Sequence, residues 1–370
     1  MGAVTAHRID HARAEDFLRT LPDASVGLIL TDPPYFRVKN LAWDRAWTDA
    51  DRFVAWLGGI ADEWARVLKP NGTLVCFASG SPSKSRGATL AARVECMLGE
   101  RFNVIASPVW VKADAQGNGK HSVQDKSTKR AYFPQTERVV VCEHGGSDAY
   151  ARGESAYTRK CDELRGFVFE PLRAYLDGER KRAGVDKVAV NVACGFSASP
   201  GGMASRHYFS RSQWWLPTEA HYAAMRALFN ASGGDYLRRE YDDLRREYEA
   251  LRRPFDAEAG AHFTDVWTYP TVPGRKGKHP CEKPADMARD LVLQCSRPGD
   301  VVLDTFCGSG VFLRAAAEQG RTAWGCDADE WWAAKTRQAI GAAAPPRPAE
   351  TPVPALAPQP AQLDLFGVAS

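Results

Sequence analysis

Residues 26–36, VGLILTDPPYF, place an acid, two prolines and an aromatic residue directly after a short apolar run. A run that is short, apolar and bounded by polar residues predicts a buried strand over residues 26–30. Proline has no N–H for a sheet ladder, so the strand is expected to end in this acid and its prolines. The segment could be an ordinary type I turn, or it could set a carboxylate and a proline carbonyl beside a ring. The catalytic candidates are Asp32, Pro33, Pro34 and Tyr35.

A second candidate site is the segment DTFCGSG at residues 304–310, which is predicted to end a strand and open a helix. Glycines at such a junction let a ligand approach backbone N–H groups. Asp327 follows 23 residues after Asp304, and an acid about 20 residues beyond a glycine-rich turn suits ribose hydroxyls. The loop is too short for a dinucleotide and lacks a P-loop lysine, which leaves an adenosine ligand such as S-adenosylmethionine. The cofactor candidates are Asp304, Phe306, Gly308, Ser309, Gly310 and Asp327.

Strands and helices alternate around both segments, which predicts a mostly parallel α/β sheet. The predicted strands cover residues 26–30, 72–78, 102–110, 138–142, 301–306 and 322–326. The predicted helices cover residues 50–68, 88–98, 284–296, 311–319 and 330–341, and KPNG at 69–72 is predicted to form a turn.

Helical segments with polar and aromatic breaks dominate from about residue 143 to 275, so one α/β domain is predicted to be interrupted by a helical insertion. The predicted parts are residues 1–142 as the catalytic half, 143–276 as the insertion, 277–341 as the cofactor-binding half, and 342–370 as a Pro/Ala-rich linker and tail.

The two motifs together resemble those of the amino-methyltransferases that methylate an exocyclic amine of a DNA base. TDPPYF resembles their catalytic motif, FCGSG their cofactor loop, and HPCEKP at 279–284 the helix motif before that loop. The order of catalytic motif, long insertion and cofactor loop is similar to that of the β-class, circularly permuted enzymes. The resemblance implies a Rossmann-like, S-adenosylmethionine-dependent methyltransferase fold, the insertion as target-recognition domain, and Lys283 as a further cofactor residue.

The resemblance also implies site-specific methylation of adenine N6 in duplex DNA, since DPPY is typical of adenine enzymes and the N4-cytosine enzymes more often begin with Ser. Cytosine N4 remains an alternative, as does a DNA-binding regulator with a decayed methyltransferase fold. Whether the enzyme is an orphan or part of a restriction-modification pair stays open. The chain departs from the family in two places: DTFCGSG lacks the usual Pro and Ala before GSG, and HRIDHARAEDF lacks a clean Gly-Asp, for which Asp10 could substitute.

The chemistry that this family implies explains the DPPY residues. An aromatic exocyclic amine is a poor nucleophile, because its lone pair is delocalised into the ring. The Asp32 carboxylate and the Pro33 carbonyl would accept its two hydrogens, and the two prolines would fix that carbonyl at little entropic cost. Tyr35 offers a ring face on which a flipped base can stack. Methyl transfer then depends on positioning and electrostatics.

Basic residues in two regions are candidates for binding double-stranded DNA. Short predicted helices at 185–195 and 216–229 resemble a helix-turn-helix unit, in which residues 203–213 would face DNA. The polar segment 112–138 suits a clamp over DNA. The alternatives are a helical bundle with a solvated basic face and an ordinary exposed loop. The candidates are Lys112, Lys126, Lys129, Arg130, Arg206, His207, Arg211 and Gln213.

Residues 235–255, DYLRREYDDLRREYEALRRPF, nearly repeat every seven residues and predict one helix with an apolar stripe. We expect the stripe to pack on the insertion, with a homodimer contact as the alternative. Three Arg pairs line another face, where they would touch phosphates or form ion pairs with acids four residues later. The stripe consists of Leu237, Tyr241, Leu244, Tyr248, Leu251 and Phe255.

The Pro/Ala composition of residues 342–361 predicts an extended, mobile linker with no core to bury. QLDLF follows it and closely resembles the pentapeptide by which bacterial replication and repair proteins bind the β sliding clamp. The alternatives are that the tail folds back on the methyltransferase domain or is unselected sequence. The clamp-binding candidates are Gln362, Leu363, Asp364, Leu365 and Phe366.

Composition places the chain among ordinary globular proteins. It has 370 residues, 44% hydrophobic and 25% charged, and a formal net charge of only +3, so a nucleic-acid partner has to be argued from local patches. No apolar run reaches 18 residues, which argues against a membrane partner. The nine cysteines show no C-x-x-C pair and no metal-ligand spacing. We expect a bacterial or phage protein of the cytoplasm, associated with the nucleoid.

Overall fold

The computed structural model of the chain describes residues 6–36, 46–79, 89–112, 135–144, 167–210, 213–259, 264–273 and 279–341. Within them, nine strands form one sheet in the order β1-β9-β8-β2-β3-β6-β5-β7, and β4 pairs with β6 beside that path. The strands are β1 (Arg8–His11), β2 (Val26–Thr31), β3 (Leu68–Ala78), β4 (Asn103–Ala106), β5 (Val109–Lys112), β6 (Thr136–Glu143), β7 (Val266–Tyr269), β8 (Val301–Asp304) and β9 (Thr322–Asp327).

The predicted mostly parallel α/β sheet is confirmed. β2 lies at its centre, parallel to β3 on one side and β8 on the other, and every residue of β2 is buried. β8 is parallel to β9, and β9 to β1. The antiparallel pairings are those of β6 with β3, β4 and β5. A strand buried on both faces reads as a continuous apolar run, which is why the VGLIL pattern predicted β2 correctly.

Helices cover both faces of the sheet, and their apolar sides form two hydrophobic clusters with it. The five predicted helices of the α/β part are present, each with ends within about two residues of the prediction. Ordered along the chain, the helices are α1 (Ala14–Arg19), α2 (Ala50–Val67), α3 (Leu90–Gly99), α4 (Phe167–Arg182), α5 (Lys187–Ala193), α6 (Met203–Tyr208), α7 (Glu219–Asn230), α8 (Tyr241–Leu251), α9 (Ala285–Cys295), α10 (Val311–Glu318) and α11 (Glu330–Ala339).

Two local predictions were wrong. The KPNG turn is instead the start of β3: the pairing with β2 jumps from Leu68 to Thr73, so these residues are absorbed as an irregularity in the strand. The single strand predicted over 102–110 is two strands, β4 and β5. Pro108 lies between them and has no N–H for the ladder, although its carbonyl still accepts a hydrogen bond from the Val139 N–H at 2.8 Å.

Helices α4 to α8 share a third hydrophobic cluster, separate from the two clusters of the sheet. Both short predicted helices of this region are present, as α5 and α7. Strand β7 also falls within residues 143–276, but it pairs in parallel with β5, so the chain has rejoined the main sheet by residue 266. No helix in the described ranges is long and apolar enough to cross a membrane.

The heptad pattern over 235–255 overstates the helix, because only α8 (Tyr241–Leu251) is helical and Leu237 has a positive φ of 50°. The stripe nevertheless packs on the helical region as expected, with Leu237 and Leu244 fully buried there, whereas Phe255 is 49% exposed. Five of the six Arg residues form ion pairs, though with different partners from those predicted. The pairs join Arg238 to Asp235, Arg239 to Glu247, Arg246 to Asp243, Arg252 to Glu249 and Arg253 to Glu143.

Candidate active site

The carboxyl ends of three neighbouring parallel strands, β2, β8 and β9, meet at one edge of the sheet and carry Asp32, Asp304 and Asp327. Asp304 and Asp327 close β8 and β9, and Asp32 follows β2 directly. They line a cavity of about 680 Å³, the position at which open α/β sheets bind ligands. Of the predicted catalytic and cofactor residues, only Gly310 lies outside the cavity lining.

Asp32 is held by two side chains at the floor of this cavity. The Tyr35 hydroxyl donates a hydrogen bond to its Oδ1, and the Lys283 ammonium forms an ion pair with its Oδ2. Lys283 also donates to the Tyr35 hydroxyl at 3.1 Å, and its side chain is only 4% exposed. Lys283 was predicted to bind cofactor. The structure directs its ammonium toward the catalytic candidates.

Glu137 on β6 completes the buried cluster, and sequence reasoning missed it. Its Oε2 lies 3.4 Å from Lys283 Nζ and 3.3 Å from the Tyr35 hydroxyl oxygen. Its Oε1 accepts from Lys112 Nζ at 2.7 Å. The one available signal was an acid within the apolar strand ERVVVCE, because a charged residue is rarely buried unless it is paired. Two acids and two lysines therefore face one another: Asp32 directly after β2, Lys112 on β5, Glu137 on β6 and Lys283 two residues before α9.

Burial and the neighbouring charges shift the pKa values of the cluster's members in different directions. Burial raises the pKa of Asp32, and the Lys283 charge opposes that rise. Burial would also lower the pKa of Lys283, but the charges of Asp32 and Glu137 outweigh it, so that pKa is raised. The pKa of Glu137 is lowered despite its burial, because Lys283 and Lys112 favour the carboxylate. Burial raises the pKa of Tyr35, which keeps its hydroxyl proton available as a donor.

The cofactor loop is a tight turn that favours glycine at two positions. Gly308 and Gly310 have positive φ values of 46° and 72°. A Cβ at Gly308 would lie 3.1 Å from the His279 ring, and one at Gly310 would lie 2.5 Å from the Thr336 side chain. Gly310 therefore shapes the turn and caps α10 rather than lining the cavity.

Carboxylates fix this loop at its two ends. Thr31 donates to Asp304 Oδ1 at 2.8 Å, and the Phe306 N–H donates to the same oxygen at 3.1 Å. Burial raises the pKa of Asp304 to about 7. Asp327 accepts from the Gly308 N–H at 2.8 Å and from the Asp329 N–H at 2.9 Å. Each Asp327 oxygen has a further lone pair for a ribose hydroxyl, so the loop suits the predicted adenosine ligand.

Aromatic rings form another wall of the cavity. Trp47 and Trp56 have ring centroids 4.5 Å apart, and Trp56 lies 5.8 Å from Phe306. The Trp56 indole N–H donates at 2.6 Å to Glu15, a cavity residue that sequence reasoning missed. Asp10 does not line the cavity, because it belongs to β1 and pairs with Arg8 at 2.7 Å. The acid that reaches the cavity from this segment is therefore Glu15.

The predicted DNA-binding residues have different surroundings. Lys112 is part of the buried cluster through Glu137, so its charge is already engaged. His207 is buried and its ring stacks on that of Trp215, with centroids 3.6 Å apart, whereas Arg206 on α6 is exposed. Gln213 is half-buried, and its carbonyl accepts from His207 at 2.9 Å. Outside the described residues lie Lys126, Lys129, Arg130, Arg211 and the tail residues 362–366.

Comparison with known proteins gives a family match over most of the chain. The N6/N4 DNA methylase family model matches residues 26–335. The type II methyltransferase M2.DpnII of Streptococcus pneumoniae is 36% identical over 74 residues, which are 19% of this chain and 28% of that protein. That alignment therefore spans about a quarter of the relative's length.

Solved structures of DNA methyltransferases are similar to the chain at low sequence identity. The cytosine-N4-specific PvuII DNA methyltransferase is 12% identical, with a TM-score of 0.51 over 90% of this chain and 86% of that one. TTHA0409 of Thermus thermophilus, solved with S-adenosylmethionine, is 19% identical, with a TM-score of 0.47 over 90% and 93% of the two chains. The fold is the Rossmann-like fold of the S-adenosylmethionine-dependent methyltransferases. With a family model matched from residue 26 to residue 335, the chain belongs to the N6/N4 DNA methylases, which use S-adenosylmethionine as methyl donor.

Proposed function

We propose that this DNA methyltransferase acts at a specific sequence in duplex DNA and methylates the N6 amine of an adenine flipped into the cavity. The observation that carries the proposal is the place of Asp32. Asp32 directly follows the central strand, and its carboxylate lines the cavity beside the loop that suits the cofactor. An acid in this position is typical of the adenine enzymes that the DPPY motif resembles.

Each residue of the motif has a role in the proposed reaction. Asp32 and the Pro33 carbonyl accept the two amine hydrogens, which directs the nitrogen lone pair out of the base ring. Tyr35 and Pro34 line the cavity where the base would enter, and the Tyr35 ring provides a stacking surface. The methylated nitrogen must lose one proton, and Asp32 is the carboxylate placed to receive it.

Residues at the neighbouring strand ends would hold the methyl donor. Asp327 would accept hydrogen bonds from the ribose hydroxyls, while Trp47, Trp56 and Phe306 offer flat apolar surface for a ring. When bound, S-adenosylmethionine supplies an electrophilic methyl carbon: the amine lone pair forms the N–C bond as the C–S bond breaks and its electron pair stays on sulfur. Asp304 ends β8, which lies between β9 and β2 in the sheet, and Ser309 also lines the cavity.

We also propose that the chain is a β-class, circularly permuted enzyme. The catalytic segment after β2 and the cofactor loop after β8 are more than 270 residues apart in the chain, yet β2 and β8 are paired neighbours in the sheet. Helices α4 to α8, which lie between them in sequence and have their own core, are the proposed target-recognition region. Arg206, exposed on α6, is its best-placed candidate for DNA contact.

Methylation of cytosine N4 is the second candidate, because the family includes both reactions. The test is to express the chain in a methylation-free bacterial host and to sequence the genomic DNA with modified-base detection. We expect N6-methyladenine at one recognition sequence, and none in cells that express Asp32→Ala. N4-methylcytosine would select the alternative. Equal methylation by Asp32→Ala would refute the role of Asp32.

The same expression strains test the regulator hypothesis. A DNA-binding regulator with a decayed site would leave the genome unmodified while the purified protein still bound DNA. The described site argues against decay, because the acid, the tyrosine and the glycine loop all meet at one cavity.

A further inference from the structure

The proposed reaction requires Asp32 to have an acceptor oxygen available for the target amine. Both of its carboxylate oxygens already have partners: Tyr35 donates to Oδ1, and Lys283 pairs with Oδ2. If Asp32 is to accept a hydrogen from the target amine, one of these partners has to yield. A buried ion pair is costly to break, because the separated charges lose their compensation, so the neutral hydroxyl is the partner expected to leave.

A second acceptor for that hydroxyl is already in place. The Tyr35 hydroxyl oxygen lies 3.3 Å from Glu137 Oε2, so a rotation of the O–H bond can transfer the hydrogen bond from Asp32 to Glu137. Glu137 is itself fixed from behind, because Lys112 holds its other oxygen at 2.7 Å. Lys283 spans both acids, which keeps the whole cluster compact while the hydroxyl changes partner.

We propose that Glu137 is a positioning residue: it takes the Tyr35 hydroxyl when the target amine binds, which frees Asp32 Oδ1 while Lys283 stays on Oδ2. This inference rests on the proposed role of Asp32 as amine acceptor. It gives a reason for burying an acid on β6, where the Glu137 carboxylate accepts hydrogen bonds from Tyr35 and Lys112 and lies 3.4 Å from Lys283 Nζ. Without Glu137, the departing hydroxyl would be left in a buried site without its alternative acceptor, a loss felt when the amine binds.

A double-mutant cycle between Glu137 and Tyr35 tests the exchange, with single-turnover rates measured on DNA containing the recognition sequence. Glu137→Ala should lower the methyl-transfer rate by about two- to tenfold, the loss expected for one net hydrogen bond, with little change in cofactor affinity. In a Tyr35→Phe background no hydroxyl has to be relocated. The same Glu137→Ala change should then have little further effect on the rate.

Two other variants separate this role from a structural one. Glu137→Gln keeps a neutral acceptor oxygen, so it should recover part of the methyl-transfer rate. Its coupling energy with Tyr35→Phe should have the same sign as that of Glu137→Ala. Glu143→Gln on the same strand is the matched control, because its carboxylate pairs with Arg253 rather than with the cluster. Thermal unfolding and cofactor binding report whether each variant is folded.

The outcomes distinguish this inference from the function on which it rests. Loss of the Glu137→Ala effect in the Tyr35→Phe background supports the exchange. Equal losses in both backgrounds would mean that Glu137 only supports Lys283, which overturns the inference and leaves the proposed function intact. Full activity of Asp32→Ala would overturn both.

Discussion

Asp32 is a buried acid whose charge is maintained by a buried base, and this pairing sets the pH at which the site can work. Removing Asp32 from water favours its neutral form, and the Lys283 ammonium opposes that preference. Only the ionised form offers both oxygens as acceptors, so the acid limb of a pH profile should report the protonation of the coupled cluster rather than of Asp32 alone.

We therefore predict that the methyl-transfer rate falls as the pH is lowered, with a midpoint above that of an ordinary carboxyl group, because burial raises the pKa of Asp32. Lys283→Met removes the nearest positive charge, so the pKa should rise further and the acid limb should move to higher pH. Single-turnover rates measured across pH would show the shift. Lys69→Met is the control, because Lys69 pairs with Asp300 at 3.3 Å away from the cavity. An acid limb that stays in place in Lys283→Met would contradict this account.

Asp327 is predicted to carry much of the cofactor affinity. Asp327→Ala removes the proposed acceptors for the ribose hydroxyls and also the acceptor of the Gly308 N–H, so binding should weaken by about 1.5–3 kcal/mol, the range for hydrogen bonds to charged groups. Calorimetric titration with S-adenosylmethionine measures the loss. Asp62→Ala, whose carboxylate pairs with Arg101 and does not line the cavity, should bind as the wild type does. Unchanged affinity in Asp327→Ala would remove Asp327 from the cofactor site.

At the scale of elements, Asn191 joins two helices of the insertion. It is fully buried on α5, and its Oδ1 accepts from the N–H groups of Ala204 and Ser205, at 2.9 and 3.2 Å. These are first-turn donors of α6, whose own N-cap residue, Gly202, provides no side-chain acceptor. Its amide nitrogen donates to the Ser199 carbonyl at 2.6 Å. One side chain thus caps α6 from another helix.

We predict that Asn191→Ala destabilises the helical region by about 1–3 kcal/mol or more, since it leaves buried backbone donors without an acceptor. DNA binding should weaken with it, because α6 carries the exposed Arg206. S-adenosylmethionine affinity should not change, because the cavity is formed at the sheet edge. Thermal unfolding, DNA titration and cofactor titration measure the three quantities. Asn71→Ala, whose hydrogen bond to Ala250 is exposed to solvent, is the control. A variant that binds DNA and unfolds as the wild type does would show that this cap is dispensable.

The elements also show what sequence could and could not predict. Catalytic and cofactor candidates next to β2 and β8 were found because strand ends and glycine turns leave local patterns. Glu137 and Glu15 were missed because their contacts with the site come from strand pairing and helix packing between segments distant in sequence. The acid within the apolar strand ERVVVCE was the one local signal, and it did not indicate a partner. The heptad repeat predicted which side of α8 is buried, but it placed the start of the helix too early. Leu237 has a positive φ, so the helix cannot extend back through it to residue 235.

At the scale of the whole molecule, the net charge is weak, so DNA binding has to depend on local groups of unpaired basic residues. The formal charge of +3 is small for 370 residues, and Arg173, Arg180 and Arg182 of α4 and Arg246 of α8 are each paired with an acid three residues earlier in the same helix. Long-range attraction of the chain to DNA is therefore modest. A second attachment that brings the enzyme to DNA would raise its local concentration without any change at the active site.

The QLDLF segment, which lies outside the described residues, is our candidate for that attachment, through the β sliding clamp of bacterial replication. Apolar anchors beside a polar residue are typical of a peptide that fills a groove, and the preceding Pro/Ala segment is predicted to act as an extended tether. A peptide of residues 358–370 should bind purified clamp in a titration followed by fluorescence anisotropy. The same peptide with Leu365 and Phe366 changed to Ala should not bind, because it has lost two of its apolar anchors. In cells, the corresponding full-length variant should methylate newly replicated sites more slowly while its rate on short DNA in vitro is unchanged. If neither peptide binds at high micromolar clamp, or if both bind equally, the attachment does not exist.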